Sequence, residues 1–222
     1  MALVVAVAAL AGCAKNPAED VPKADVSSAS NAPATSASAS TGGKTYAFGP
    51  NGSSIEFAGS KVTGSHKGGF KQFAGELVVV NGKVADTGNK VVINTTSLWS
   101  DNDRLTGHLK SPDFFDVARN PTATFVTSTV TSTPSNSIVA GNLTLHGVTK
   151  HISFPAKVQV SEQGVDVSAQ FFVNRFDFEM KYPGKADDLI RKEVVLNLKL
   201  KAAPGKADFQ SVGQPAQTAS AR

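Results

Sequence analysis

Cys13 is the only cysteine of the 222 residues and closes the run Leu10-Ala11-Gly12-Cys13, the pattern at which a bacterial lipoprotein is cut and acylated. The stretch Met1 to Ala11 is apolar but too short to cross a bilayer, so residues 1–12 are expected to be a lipoprotein signal peptide and Cys13 the lipidated residue. No Lys or Arg precedes the apolar run, so either a start codon further upstream or inefficient export is expected, the first in better keeping with the rest of the segment. Two acyl chains and an amino-linked third supply ample membrane affinity at about 0.8 kcal/mol per buried methylene.

The other residues able to do chemistry are few. Of the four histidines, His66, His108, His146 and His151, a hairpin turning at Gly147 is expected to set His146 opposite His151. Two imidazoles without a carboxylate or thiolate make a poor metal site, so no metal is expected. There is no Gly-x-Ser-x-Gly elbow, His-Glu-x-x-His pair or dinucleotide-binding glycine fingerprint. Gly42-Gly43-Lys44-Thr45 resembles the end of a phosphate-binding loop, but Ser38 stands where its first glycine belongs and no apolar strand precedes it. Neither a catalytic residue nor a cofactor is expected.

Composition then divides the chain. Residues 13–43 are expected to be a disordered, lipidated Ala/Ser-rich tether, because such a segment cannot bury enough apolar surface to offset its ordering entropy. Residues 204–222 repeat that bias and are expected to be a disordered tail, leaving one domain over 45–203. Lys and Arg number 22 against 18 Asp and Glu, scattered along the chain, and nothing gathers them for nucleic acid.

The domain reads as all-β, because its apolar residues recur at period two. Ile152, Phe154, Ala156, Val158 and Val160 alternate with polar residues, as do Val194, Leu196, Leu198 and Leu200. Strand-like composition recurs at 77–80, 91–95, 122–133, 139–145 and 165–173, with turn signals at Asn81-Gly82, Pro134, Gly147 and Gln163-Gly164. Residues 101–118 break the pattern and are expected to form a short helix and loop over one rim. There at least one of Phe114 and Phe115 must be buried, and truncating the buried ring is expected to cost about 3 kcal/mol.

The order of motifs carries a resemblance. Gly64-Ser65-His66-Lys67-Gly68-Gly69-Phe70, Phe73-Ala74-Gly75, Asp103-Arg104-Leu105, Asp113-Phe114-Phe115-Asp116-Val117, Asn120-Pro121, Phe125 and Leu143-Thr144-Leu145-His146-Gly147-Val148-Thr149-Lys150 follow one another as in the YceI-like lipid/polyisoprenoid-binding family, which the chain resembles over 45–203. Gly49-Pro50-Asn51 departs from that family's commoner opening. The resemblance implies a lipocalin-like eight-stranded antiparallel β-barrel that carries or sequesters an isoprenoid or other long-chain amphiphile, with no enzymatic step.

The expected ligand-lining residues are Phe125, Leu143, Leu145, Phe154, Ala156, Leu196 and Leu198, and a head group at the mouth would meet Arg104, Lys110, Arg175, Lys181 or Arg191. Strand count alone leaves a filled barrel open, since eight strands enclose either packed side chains or one small ligand. The alternative is therefore an envelope stress or interaction protein acting through surface loops. The expected surroundings are the bilayer, reached through the lipid anchor, at the periplasmic face of the bacterial envelope. Ala14 in place of Asp favours the outer membrane, and a homodimer remains open.

Overall fold

The computed structural model describes residues 15–29, 43–133 and 136–213; the expected signal peptide and Cys13 lie outside them. The first strand, β1 (Asp25–Ser28), is followed by three wall strands that a short irregularity splits into segments: β2 (Lys44–Phe48) with β3 (Ser54–Lys61), β4 (Gly64–Phe70) with β5 (Phe73–Val80), and β7 (Lys90–Asn94) with β8 (Leu98–Ser100). Between the last two, the short β6 (Lys83–Val84) folds back on β5. After helix α1 (Asp103–Lys110) come β9 (Thr122–Ser132), β10 (Ser137–Leu145), β11 (Val148–Val160) and β12 (Val165–Asn174). Last come β13 (Gly184–Lys185), the long β14 (Asp188–Pro204) and one helical turn, α2 (Gln210–Gly213).

Every wall strand pairs antiparallel with its neighbours. One edge of β14 pairs with β12 from Asn174↔Glu193 to Val165↔Ala202, and the other with β3 (Lys199↔Ser54) and β2 (Ala203↔Ala47). That pairing closes an eight-stranded antiparallel barrel, the expected fold class. Closure leaves no free edge along the wall except where β11 and β12 part. One end is filled by Tyr46, Phe48, Phe73, Leu77, Val165 and Ala202. There Gly75 lies directly opposite Phe48, and the Phe48 ring occupies the space that any β-carbon at Gly75 would need.

Asn81-Gly82 forms a two-residue hairpin turn, with both residues at positive φ (51° and 75°). His146-Gly147 does the same (52° and 73°), and this corrects the expected histidine pair: the tight turn sets Leu145 against Val148, so His151 faces Asn142. His146 instead points Nδ1 at the Phe178 carbonyl, 3.0 Å away.

The flanks differ from expectation in two places. β12 pairs with β11 over only four residues, from Lys157↔Ser168 to Val160↔Val165, and beyond them the strands splay. The splay leaves backbone groups to be satisfied, and a stretch assigned to the tether satisfies them. β1 pairs with β11 from Asp25↔Ser153 to Ser28↔Lys150, the Ala24 amide donates to the Phe172 carbonyl at 2.9 Å, and the Phe172 amide donates to Pro22 at 3.0 Å. Ala24 is completely buried, in one cluster with Ile152, Phe154, Phe171 and Val173. At the other end, residues 205–213 are not a free tail. Val212 packs on Ala74 and Val92 outside the barrel, and the Ala207 amide donates to Glu76 at 3.1 Å.

Candidate functional site

Alternation aims one side-chain set of each strand inward, and in this barrel the set does not fill the interior. A cavity of about 460 Å³ remains, lined along its length by Phe57, Phe125, Leu143, Phe154, Phe171 and Leu196 among others. That volume lies in the roughly 300–1,000 Å³ range of small-molecule sites. Of the expected lining residues, Phe125, Leu143, Leu145, Phe154, Leu196 and Leu198 are on its wall. Most of them are only half-buried although they point inward, because they face the void. Ala156 is the exception. It continues the inward face of Ile152 and Phe154 but is packed in the cluster of Phe154, Ala169 and Phe171, away from the cavity.

Residues 101–118 cover one rim, as expected. Asn102 caps α1, its side chain accepting from the Leu105 amide at 2.9 Å, and the chain returns through the Phe114-Phe115 turn. Both rings are on the cavity wall, but Phe114 is the more deeply packed. Phe114 is 5% exposed, packed with Leu98, Leu109 and Phe57 and set edge-on to His108 at 5.0 Å. Phe115 faces the cavity, 6.3 Å from the Phe57 ring and 5.8 Å from Phe70. Phe114→Ala is therefore expected to cost about 3 kcal/mol in denaturant unfolding, whereas Phe115→Ala is expected to act on ligand affinity more than on stability.

The covered end is polar. Lys61, His66, His108, Tyr182, Lys185, Asp188 and Arg191 form its margin. Asp188 accepts from the Lys61 ammonium, from the Thr63 amide at 3.2 Å and from its hydroxyl at 3.1 Å; these donors hold its carboxyl below the usual carboxylate range. His66 Nδ1 lies 2.8 Å from Asp101, whose carboxyl is lowered first by the Lys67 amide, and His108 Nε2 lies 2.8 Å from Asp113.

Arg175 is buried at the start of a 3₁₀ turn, Arg175–Phe178, with burial drawing its pKa down. Its guanidinium donates to the carbonyls of Arg191 (3.1 Å), Met180 and Ile190 (3.3 Å), so this expected head-group residue is committed to holding the margin's backbone. Arg191 does reach the cavity, and its Nε is buried without a partner, as is the hydroxyl of Ser60 on the same wall. These are the two such side-chain atoms among the described residues.

The remaining head-group candidates miss the site. Arg104 and Lys110, on α1, are not on the cavity wall, and Lys181 pairs with Glu179. Sequence reasoning overlooked Ser60, Lys61, Lys185 and Asp188. No group of three or more metal-capable side chains occurs among the described residues.

Fold and cavity together define a lipocalin-like barrel built around an apolar interior. The chain belongs to the YceI-like family, whose domain model matches residues 46–202. A UPF0312 protein of Pseudomonas putida is 34% identical over 136 residues, 57% of this chain and 70% of the relative. Among solved structures, Burkholderia cenocepacia BcnA superposes with a TM-score of 0.60 at 21% identity, over 68% of this chain and 96% of that one. A polyisoprenoid binding domain from Saccharophagus degradans, implicated in plant cell wall breakdown, gives 0.59 at 18% identity, over 72% and 98%. At these identities the two structures speak for the fold. N-terminal residues 15–29, of which 22–28 fill the seam between β11 and β12, lie outside the family match.

Proposed function

We propose that this protein binds a long isoprenoid-type lipid inside its barrel, without chemistry on it, and carries or sequesters that lipid at the bacterial cell envelope. The observation that carries the reading is the cavity itself: inward leucines and phenylalanines left half-accessible around about 460 Å³. Each square ångström of apolar ligand surface withdrawn there gains about 25 cal/mol, so a few isoprene units supply several kcal/mol before ordering costs. At the polar margin a head group would meet Lys61, Lys185 and Arg191, which are on the cavity wall. A filled barrel acting through surface loops is disfavoured by the same void. The name of the Saccharophagus relative supports an isoprenoid in particular. Acylation at Cys13, and with it the outer membrane, belongs to the same proposal.

The test is native mass spectrometry of the purified protein for a co-purifying lipid, followed by titration with an isoprenoid quinone and a polyprenyl alcohol beside a straight-chain fatty acid. Saturable one-to-one binding that favours the isoprenoids is expected. Equal, weak uptake of all three would overturn the reading.

A further inference from the structure

Three large apolar side chains stand out in solvent among the described residues: Val62 (41% exposed), Leu189 (51%) and Ile138 (38%). Two of them share one place. Val62 occupies the turn between β3 and β4, and Leu189 lies beside the turn between β13 and β14. Asp188 ties the turns together through Lys61 and both donors of Thr63, and Lys61 pairs with Ile190 across the strands. The two apolar tips are therefore held side by side.

The cavity wall runs onto both turns through Gly59, Ser60 and Lys61 on one and Gly184, Lys185 and Ile190 on the other. Lys61 is paired with Asp188 and Lys181 with Glu179, which leaves Lys67, Lys185, Arg191 and Lys192 without an ion-pair partner among the described residues, beside Asp187 and with Asp101 and Glu193 adjoining. A pair of apolar tips with unpaired lysines beside them suits the boundary between head groups and acyl chains of an anionic bilayer. Placed there, the tips would turn the mouth of the apolar cavity toward the acyl region, so that a lipid could enter without crossing water.

We propose that the β3–β4 and β13–β14 turns form a membrane-docking surface, with Val62 and Leu189 entering the interface of an anionic bilayer and the surrounding cations meeting its head groups. The proposal rests on the lipid-binding reading for its purpose, though the docking can be measured separately. Its occupant is a bilayer, because the surface is a small apolar point that continues into the apolar cavity and has the unpaired Lys67, Lys185 and Lys192 around it.

The experiment uses the chain from Ala14 to Arg222, so that neither the apolar segment 1–12 nor an acyl chain contributes. It is sedimented with vesicles of phosphatidylcholine mixed with phosphatidylglycerol, and with vesicles of phosphatidylcholine alone. Binding to the anionic vesicles is expected, with a loss of about tenfold in the double variant Val62→Ser, Leu189→Ser and no change in Ile138→Ser. Isoprenoid titration of the same double variant without vesicles is expected to match the parent. In a Trp99→Phe background, tryptophan fluorescence of Val62→Trp should shift to the blue and be quenched by brominated acyl chains, whereas Ile138→Trp should not respond. Undiminished sedimentation of the double variant, equal binding to both vesicle types, or an unquenched tryptophan at position 62 would overturn the docking surface. Vesicle binding with no isoprenoid uptake would uphold the docking and overturn the lipid-carrying function instead.

Discussion

Gly59→Phe is expected to weaken isoprenoid binding by somewhat under a hundredfold while leaving the fold intact. Gly59 faces the cavity from β3, and a β-carbon built there meets nothing within 4 Å. A phenyl ring would enter open volume. If it keeps about 100 Å² of ligand surface off the wall, about 2.5 kcal/mol is forfeited. The substitution also replaces a residue that weakens strands with one that favours them, so unfolding in denaturant should move little. Titration and denaturant unfolding measured on one preparation check both halves. Unchanged affinity would mean that the lumen is not where the lipid sits. Ala156→Trp would be a poor instrument for the same purpose, because Ala156 is already packed and the ring would strain the core.

Arg175→Met is expected to cost about 3–5 kcal/mol of folding stability, the largest effect among these substitutions. Arg175 is 3% exposed, and its guanidinium donates to three backbone carbonyls at the mouth, those of Met180, Ile190 and Arg191. Methionine preserves much of the volume but supplies no donor, and each buried acceptor left unmade costs about 1–3 kcal/mol. Arg175→Lys should recover only part of the loss, since one ammonium cannot reproduce a planar fork spread over three oxygens. Urea unfolding of the three proteins measures the series. Near-wild-type stability for Arg175→Met would show that solvent reaches those carbonyls.

Much of the wall was legible because the strands alternate cleanly. Phe154 in β11, and Leu196 and Leu198 in β14, announce an inward face by period alone, and the tight turns at Asn81-Gly82 and His146-Gly147 carry the glycine that positive φ favours. Depth along that face was not legible. Ala156 alternates in step with Phe154, and only the three-dimensional taper of the barrel decides which of them reaches the void. The mouth was hidden for another reason. Lys61 and Asp188 are 127 positions apart, and no local pattern predicts that two distant hairpins will meet. Hence helix cations such as Arg104 drew attention, while Ser60 and Lys185 did not. β1 escaped notice because Asp25-Val26-Ser27-Ser28 has a tether's composition; its pairing comes from the splay of β11 from β12, a tertiary event.

That inserted strand sets a length. Were the tether free as far as β2, a lipid on Cys13 would hold the barrel on a leash of 31 residues, about 100 Å at full extension. Ala18 is instead buried and Ala24 fully so, which leaves four residues between Cys13 and the first buried one, five Cα steps or about 17 Å of reach. An anchored barrel would then sweep a thin layer over the bilayer rather than a wide hemisphere. Confinement of that kind raises the frequency of encounter with its own membrane and makes contact with a facing one a rare event.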